Sequence, residues 1–182
     1  MYSCLQRANQ VVSLATTALF ALLFAISVSS YFLTLTGPFE AAKIDVQSLN
    51  VVMGKSRSVW NQEVEYGFVR FDLKADLRPL FHWNTKQIFL QLNAEYTTPN
   101  NSSNSVVLWD KIIQSPRKAR LNIQGGRNTF TFKEASNSFK DSTDLTYSLN
   151  YHIMPYVGFL QSGEVTRSTE ASNTFPKPKK NL

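Results

Sequence analysis

The sequence predicts an all-β domain, an antiparallel β-sandwich, preceded by one transmembrane α-helix. Three observations carry that reading. No charged residue occurs between Arg7 and Glu40. Beyond that gap, apolar and polar residues alternate with period two in one segment after another. Turn residues separate those segments at short intervals, as antiparallel strands require.

The apolar run extends from Val11 to Leu35. About 20 apolar residues in a helix span the hydrocarbon core of a bilayer. Ser13, Thr16, Thr17, Ser27, Ser29 and Ser30 dilute the run, and in a helix their hydroxyls can bond back to the backbone. Tyr31 and Phe32 suit an interfacial aromatic belt. A cleavable signal peptide is the rival reading. It calls for an apolar stretch of roughly 7 to 15 residues followed by a small-x-small site. Here Ser27-Val28-Ser29 lies inside a longer stretch, so a retained anchor is expected. Lys and Arg are near parity on the two sides and orient the span weakly. Asn100 and Asn101 open overlapping N-x-S acceptors that have meaning only in the lumen. The expected organisation is a cytosolic tail over 1–10, a signal-anchor helix over 11–35 and a linker over 36–43. A lumenal β-sandwich over 44–168 and a flexible basic tail over 169–182 complete it. The closing Lys179-Lys180-Asn181-Leu182 imitates a cytosolic retrieval signal, which a lumenal C-terminus would render unreadable.

Gly37-Pro38 ends the helical pattern. Residues 44 to 53 change phase between Val46 and Leu49, which predicts a β-bulge. In Tyr66–Leu77, Val69, Phe71, Leu73 and Ala75 share one face, and Arg70, Asp72, Lys74 and Asp76 the other. Lys86–Thr97 repeats the theme with Ile88, Leu90, Leu92, Ala94 and Tyr96. Val106–Ile113 is apolar on both faces and is expected to lie deep. Short strands are expected at Ala119–Gln124 and Asn128–Lys133, joined by a Gly125-Gly126 hairpin. Leu145, Tyr147, Leu149, Tyr151 and Ile153 alternate in a further strand, and a last one falls within Gly158–Arg167. The one short helical stretch in the domain is placed near Pro79–Asn84.

Composition narrows the function. A formal charge of +6 invites a nucleic-acid reading, yet the basic residues are scattered singly between strands, and no nucleic-acid partner is expected. Cys4 precedes the apolar run, and the rest of the chain has no cysteine. That permits an oxidising compartment without a disulfide framework. The two histidines, His82 and His152, have no cysteine or second histidine nearby in sequence, so no metal site is expected. No nucleophile elbow precedes any serine. Asp72, Asp76, Glu95 and Asp110 read as a mixed-charge surface and not as a catalytic pair. Gly125-Gly126 opens no helix and so cradles no phosphate. No catalytic residue, cofactor or metal is expected. Aromatics are in excess at 13%. Most belong to a core, but Phe68 and Phe89 are out of phase with their strands' apolar faces. They are candidates for a second core face or a protein interface. Phe81, Trp83 and Asn84 form a ring-rich turn after a helix break and are the other interface candidates. A secreted or anchored sandwich that binds carbohydrate or protein is the alternative reading.

Several stretches together resemble a known family. Gly67–Leu77, Leu80-Phe81-His82-Trp83-Asn84-Thr85-Lys86-Gln87-Ile88-Phe89-Leu90, Ala94-Glu95-Tyr96 and Val106-Val107-Leu108-Trp109-Asp110-Lys111-Ile112-Ile113 resemble the signal peptidase complex subunit 3 family. Arg7-Ala8-Asn9 ahead of the anchor also fits, and the likeness runs from Arg7 to about Val165. The resemblance implies a non-catalytic accessory subunit of the endoplasmic reticulum membrane, with a cytosolic N-terminus and a lumenal sandwich. It implies as partners a serine-protease subunit, which the sandwich braces, and two small membrane subunits. Nascent secretory and membrane proteins are the complex's substrates. One departure is visible. Many animal members carry a glycan acceptor just ahead of the strand that runs here from Leu145, and this chain has Asp144-Leu145-Thr146 instead.

Overall fold

The computed structural model describes residues 3–36, 43–55, 63–98, 102–134, 136–140, 142–168, 175–177 and 179–180. Helix α1 spans Cys4–Thr36. It starts well before the apolar run because Ser3 caps it. The Ser3 carbonyl accepts the amides of Gln6 (3.0 Å) and Arg7 (3.3 Å), and its Oγ accepts Gln6 N at 3.3 Å. Ser-x-x-Gln is the capping-box spacing, a signal that hydropathy alone passes over. The hydroxyls inside the helix bond backward as expected: Thr16 and Thr17 to Ser13 O, and Ser29 to Ile26 O, each at 2.9 Å. At 1.5 Å per residue α1 is about 50 Å long, more than the roughly 30 Å of hydrocarbon it would cross.

Eight strands come after it: β1 Lys43–Lys55, β2 Glu63–Asp76, β3 Thr85–Thr97, β4 Ser103–Ile113, β5 Arg120–Arg127, β6 Thr143–Pro155, β7 Gln161–Arg167 and β8 Lys179–Lys180. They form two four-stranded sheets with orders β5-β2-β1-β8 and β4-β3-β6-β7. Pairing is antiparallel except for β8, which lies parallel to β1. The inner faces are those the alternation assigns. Val69, Phe71, Leu73 and Ala75 of β2 are buried, as are Ile88, Leu90, Leu92, Ala94 and Tyr96 of β3. Leu145, Tyr147, Leu149 and Ile153 come from β6, and all belong to one hydrophobic cluster. The register of β1 against β2 slips between Val46 and Ser48, the bulge that the phase change predicts.

Three expectations fail. β4 is an edge strand: Leu108 and Ile113 are buried, whereas Ile112 is 53% exposed. An apolar run on both faces is ambiguous because edge position is a property of topology, which periodicity does not carry. Secondly, Gly125-Gly126 makes no hairpin. β5 runs through the pair while its register against β2 slips between Phe71 and Leu73. Gly125 sits at φ 62° and donates its amide to Asp72 Oδ1 at 2.6 Å, so the glycine expected to turn the chain makes a bulge. Nor is there a strand at Asn128–Lys133, where one is expected: residues 128–132 instead cross between the sheets. Asn128 Oδ1 accepts Val69 N at 3.1 Å, and Thr129 N and Phe130 N donate to Leu108 O at 2.8 and 3.0 Å. Thirdly, the tail is not loose where it is described. Phe175 stacks on Phe139 with centroids 4.7 Å apart, and Lys179-Lys180 pairs with Val52-Met53.

Phe175 completes a ring cluster with Tyr96, Phe132 and Phe139 at one end of the core. Gly67 makes room for it, since a Cβ there would lie 2.5 Å from the Phe132 ring. Two buried tyrosines differ in their hydroxyls. Tyr96 donates a short hydrogen bond to buried Glu134. Tyr147 Oη finds no partner among the described residues. Desolvation pushes both phenols well above the ordinary tyrosine range, and the Glu134 bond adds to the shift at Tyr96.

The two hydroxyls predict opposite mutational responses. Tyr96→Phe leaves Glu134 without its donor and lowers stability by about 1–3 kcal/mol, whereas Tyr147→Phe is neutral or stabilising by up to about 1 kcal/mol. Urea unfolding of the full chain in detergent measures both, and a larger loss for Tyr147→Phe would contradict the assignment. The raised phenol pKa values also predict an alkaline limit. Unfolded tyrosine ionises near pH 10 while the folded phenols resist. Stability from this source is complete below that pH and is lost as pH climbs above it.

Candidate docking surfaces and the helix junction

Where β2 hands the chain to β3, a short 3-10 turn over Arg78–Leu80 is set by charge and ring constraint. Asp76 Oδ1 accepts the Arg78 amide at 3.1 Å and its carboxylate grips the guanidinium, with Nε at 2.9 Å. Those bonds hold Asp76 down at about 2. Pro79 supplies a fixed φ, and Leu80 plugs the core. The chain then folds on itself: Thr85 N donates to His82 O at 2.9 Å, and Thr85 Oγ1 to Leu80 O at 3.1 Å. His82 Nδ1 accepts the Asn84 amide at 3.2 Å, which requires an unprotonated nitrogen. Burial lowers the His82 pKa in the same sense.

This turn points Asn84 at two other elements. Its Nδ2 donates to Ser30 Oγ of α1 at 2.6 Å and to Val157 O at 2.7 Å. Its Oδ1 accepts Val157 N at 3.1 Å, and its backbone carbonyl accepts Tyr156 N at 2.9 Å. Ser30 and Asn84 are 3% and 2% exposed. Beside them Gly158 holds φ 112°, and a Cβ there would meet Ser27 at 2.7–3.3 Å. Leu23, Ile26, Ser27 and Ser30 are the covered positions among the described side chains of an otherwise exposed helix. Residues spaced three and four apart share one helical face. Small side chains at 27 and 30 let the β6–β7 connection approach closely.

The five interface candidates therefore do not form one surface. Asn84 is an internal tie. Phe81 is half-buried and packs against the core. Trp83 stands out at 61% exposure. Phe68 is 53% exposed on the outer face of one sheet. Phe89 lies on the outer face of the other, stacked against His152 with ring centroids 6.0 Å apart. Periodicity places Phe68 and Phe89 outward but cannot place them on opposite sides of the sandwich. Asn100 and Asn101 lie outside the described residues. Sequence reasoning misses Ser30 and Gly158 as parts of a junction, and only their contacts in space mark them.

Three of the four carboxylates considered as catalytic candidates make structural bonds. Asp72 holds Gly125, and Asp76 holds Arg78. Glu95 accepts Ser148 Oγ at 2.7 Å and pairs with Arg167 at 2.8 Å. Among the described residues no group of three His, Cys, Asp or Glu side chains could hold a metal ion.

A family model described as "Signal peptidase subunit" matches residues 1–178. The chain belongs to the signal peptidase subunit family. Family relatives called signal peptidase complex subunit 3 match along nearly the whole chain. The Gallus gallus protein is 34% identical over 176 residues, covering 97% of this chain and 95% of its own. The Drosophila melanogaster protein is 36% identical over 167 residues, covering 91% of each. The Homo sapiens protein is 32% identical over 178 residues, covering 97% and 95%. The apolar helix and the two-sheet domain are thus the architecture of a signal peptidase subunit.

The junction gives this family member a specific weak point. Gly158→Val forces a side chain into Ser27 at a φ that L-residues rarely adopt, and strain of this kind costs on the order of 1–3 kcal/mol. Asn84→Ala removes the ties to Ser30 and Val157 together. Both variants are expected to speed proteolysis within 156–160 while cleavage elsewhere in the sandwich stays slow. Unchanged cleavage kinetics would show that the contact does not hold the loop.

Proposed function

We propose that this chain is a non-catalytic subunit of the endoplasmic reticulum signal peptidase complex. In this reading α1 crosses the membrane with its N-terminus in the cytosol, and the sandwich stands on the lumenal surface. There it braces the serine-protease subunit that removes signal peptides from nascent secretory and membrane proteins. Two small membrane subunits complete the assembly. The observation that carries the reading is the Asn84–Ser30–Val157 tie. It joins the apolar helix to the sandwich through buried hydrogen bonds, so the domain's orientation follows the helix. A bracing subunit needs that property. Holding a surface at fixed height converts its encounter with a second anchored protein into a nearly intramolecular one.

A stable interface takes roughly 800 Å² from each partner, with aromatic anchors near its centre. Phe68 is the best-placed anchor for the protease subunit. It is exposed on the outer sheet face beside Gly67, whose carbonyl is bonded by the same Asn128 amide group that reaches Phe130 O. Phe130 is itself 45% exposed. By binding only the folded protease subunit, this surface would stabilise it by mass action.

Protease protection in sealed microsomes tests the topology: the sandwich is expected to survive until detergent is added, and its digestion in intact vesicles would overturn the orientation. Phe68→Asp with Phe130→Asp tests the docking face. At least a tenfold loss of co-purified protease subunit is expected, about 1.4 kcal/mol or more. Full recovery of the complex would clear that face of the role.

A further inference from the structure

The end of the sandwich nearest α1 carries apolar side chains that the fold does not use. Trp83 is 61% exposed, Tyr156 69%, Phe159 83% and Leu160 62%. They come from two loops that Asn84 fastens together, since its carbonyl and side chain bond residues 156 and 157. Their neighbour Gly158 touches Ser27 of the helix. Exposed apolar groups gathered at one place mark an interaction surface.

The helix fixes the height of that surface. Counting 1.5 Å per residue from Val11, where the apolar run begins, Ser27 lies about 24 Å along the axis and Tyr31 about 30 Å. The hydrocarbon core is about 30 Å thick. Gly158 therefore meets α1 about 6 Å inside the far edge of the hydrocarbon. Phe159 and Leu160 are tethered beside it, and Trp83 and Tyr156 flank them. On α1 itself Tyr31 and Phe32 are exposed about one helical turn further on, at that edge. Rings with one apolar body and one polar atom favour this zone.

We propose that Phe159 and Leu160 dip into the membrane interface of the leaflet on the sandwich side, with Trp83 and Tyr156 at headgroup level. The occupant of this surface is lipid. The inference rests on α1 spanning a bilayer and goes beyond the docking of a protease subunit. It gives the domain a second attachment to the membrane, so the sandwich cannot swing about the helix end.

The test uses the full chain with Cys4→Ser, carrying one cysteine at a time at Phe159, Leu160, Phe68 or Phe20. Each is labelled with an environment-sensitive fluorophore and reconstituted alone in phosphatidylcholine vesicles. Lipids bearing a nitroxide near the top of the acyl chain supply the quencher for 159, 160 and 68, and lipids bearing it near the chain end supply the quencher for 20, which lies near mid-bilayer. Labels at 159 and 160 are expected to lose about half of their emission or more, as an interfacial depth requires. The label at 68 should stay bright and the label at 20, in the span, should be quenched. Labels at 159 and 160 as water-accessible as the one at 68, with 20 still quenched, would overturn the proposal. Shielding that appears only when the other subunits are added would assign the rim to a protein and overturn it equally. Loss of quenching at 20 would defeat the membrane-span reading, and this inference with it.

Discussion

The structure depends on one buried amide. Asn84 is the point where the helix, the turn after β2 and the connection after β6 meet, and its side chain satisfies a group on each of the other two. A buried polar group is costly unless paired, so the same amide that ties the parts also penalises any arrangement that separates them. Without it, an apolar helix and a β-sandwich joined by a short linker would be two bodies with no fixed relation. The tie works only because Ser27 and Ser30 are small and Gly158 takes a backbone conformation open to glycine.

Among the described residues, two features close the sandwich behind this junction. The crossing segment over 128–132 closes one side by bonding both sheets. The ring cluster of Tyr96, Phe132, Phe139 and Phe175 closes one end. Most charged groups considered for chemistry hold neighbouring backbone or paired side chains. Such a domain offers shape and exposed rings, the properties on which the proposed supporting role draws.

Much of the fold was legible in the sequence because period-two burial is local. The inner faces of β2, β3 and β6 derive from alternation, and the β1 bulge from a break in it. The edge position of β4 was not legible, because exposure of Ile112 depends on which strand lies beside it. Nor was the fate of Gly125-Gly126, since a glycine pair suits a hairpin and a bulge alike. Of the interface candidates, Trp83 and Phe68 are at the surface. Asn84 is not, because only its contact with a residue 54 positions away reveals its work.

The sequence by itself determined the family, the apolar helix and the β-rich character of the domain behind it, since the family rests on residue order along the chain and the other two on patterns within a short window. Tertiary structure alone decided how the helix meets the sandwich, which outward rings share a face and that Phe175 belongs to the core. The reason is physical: those outcomes depend on distances between residues far apart in the chain, and no local pattern of polarity encodes a distance.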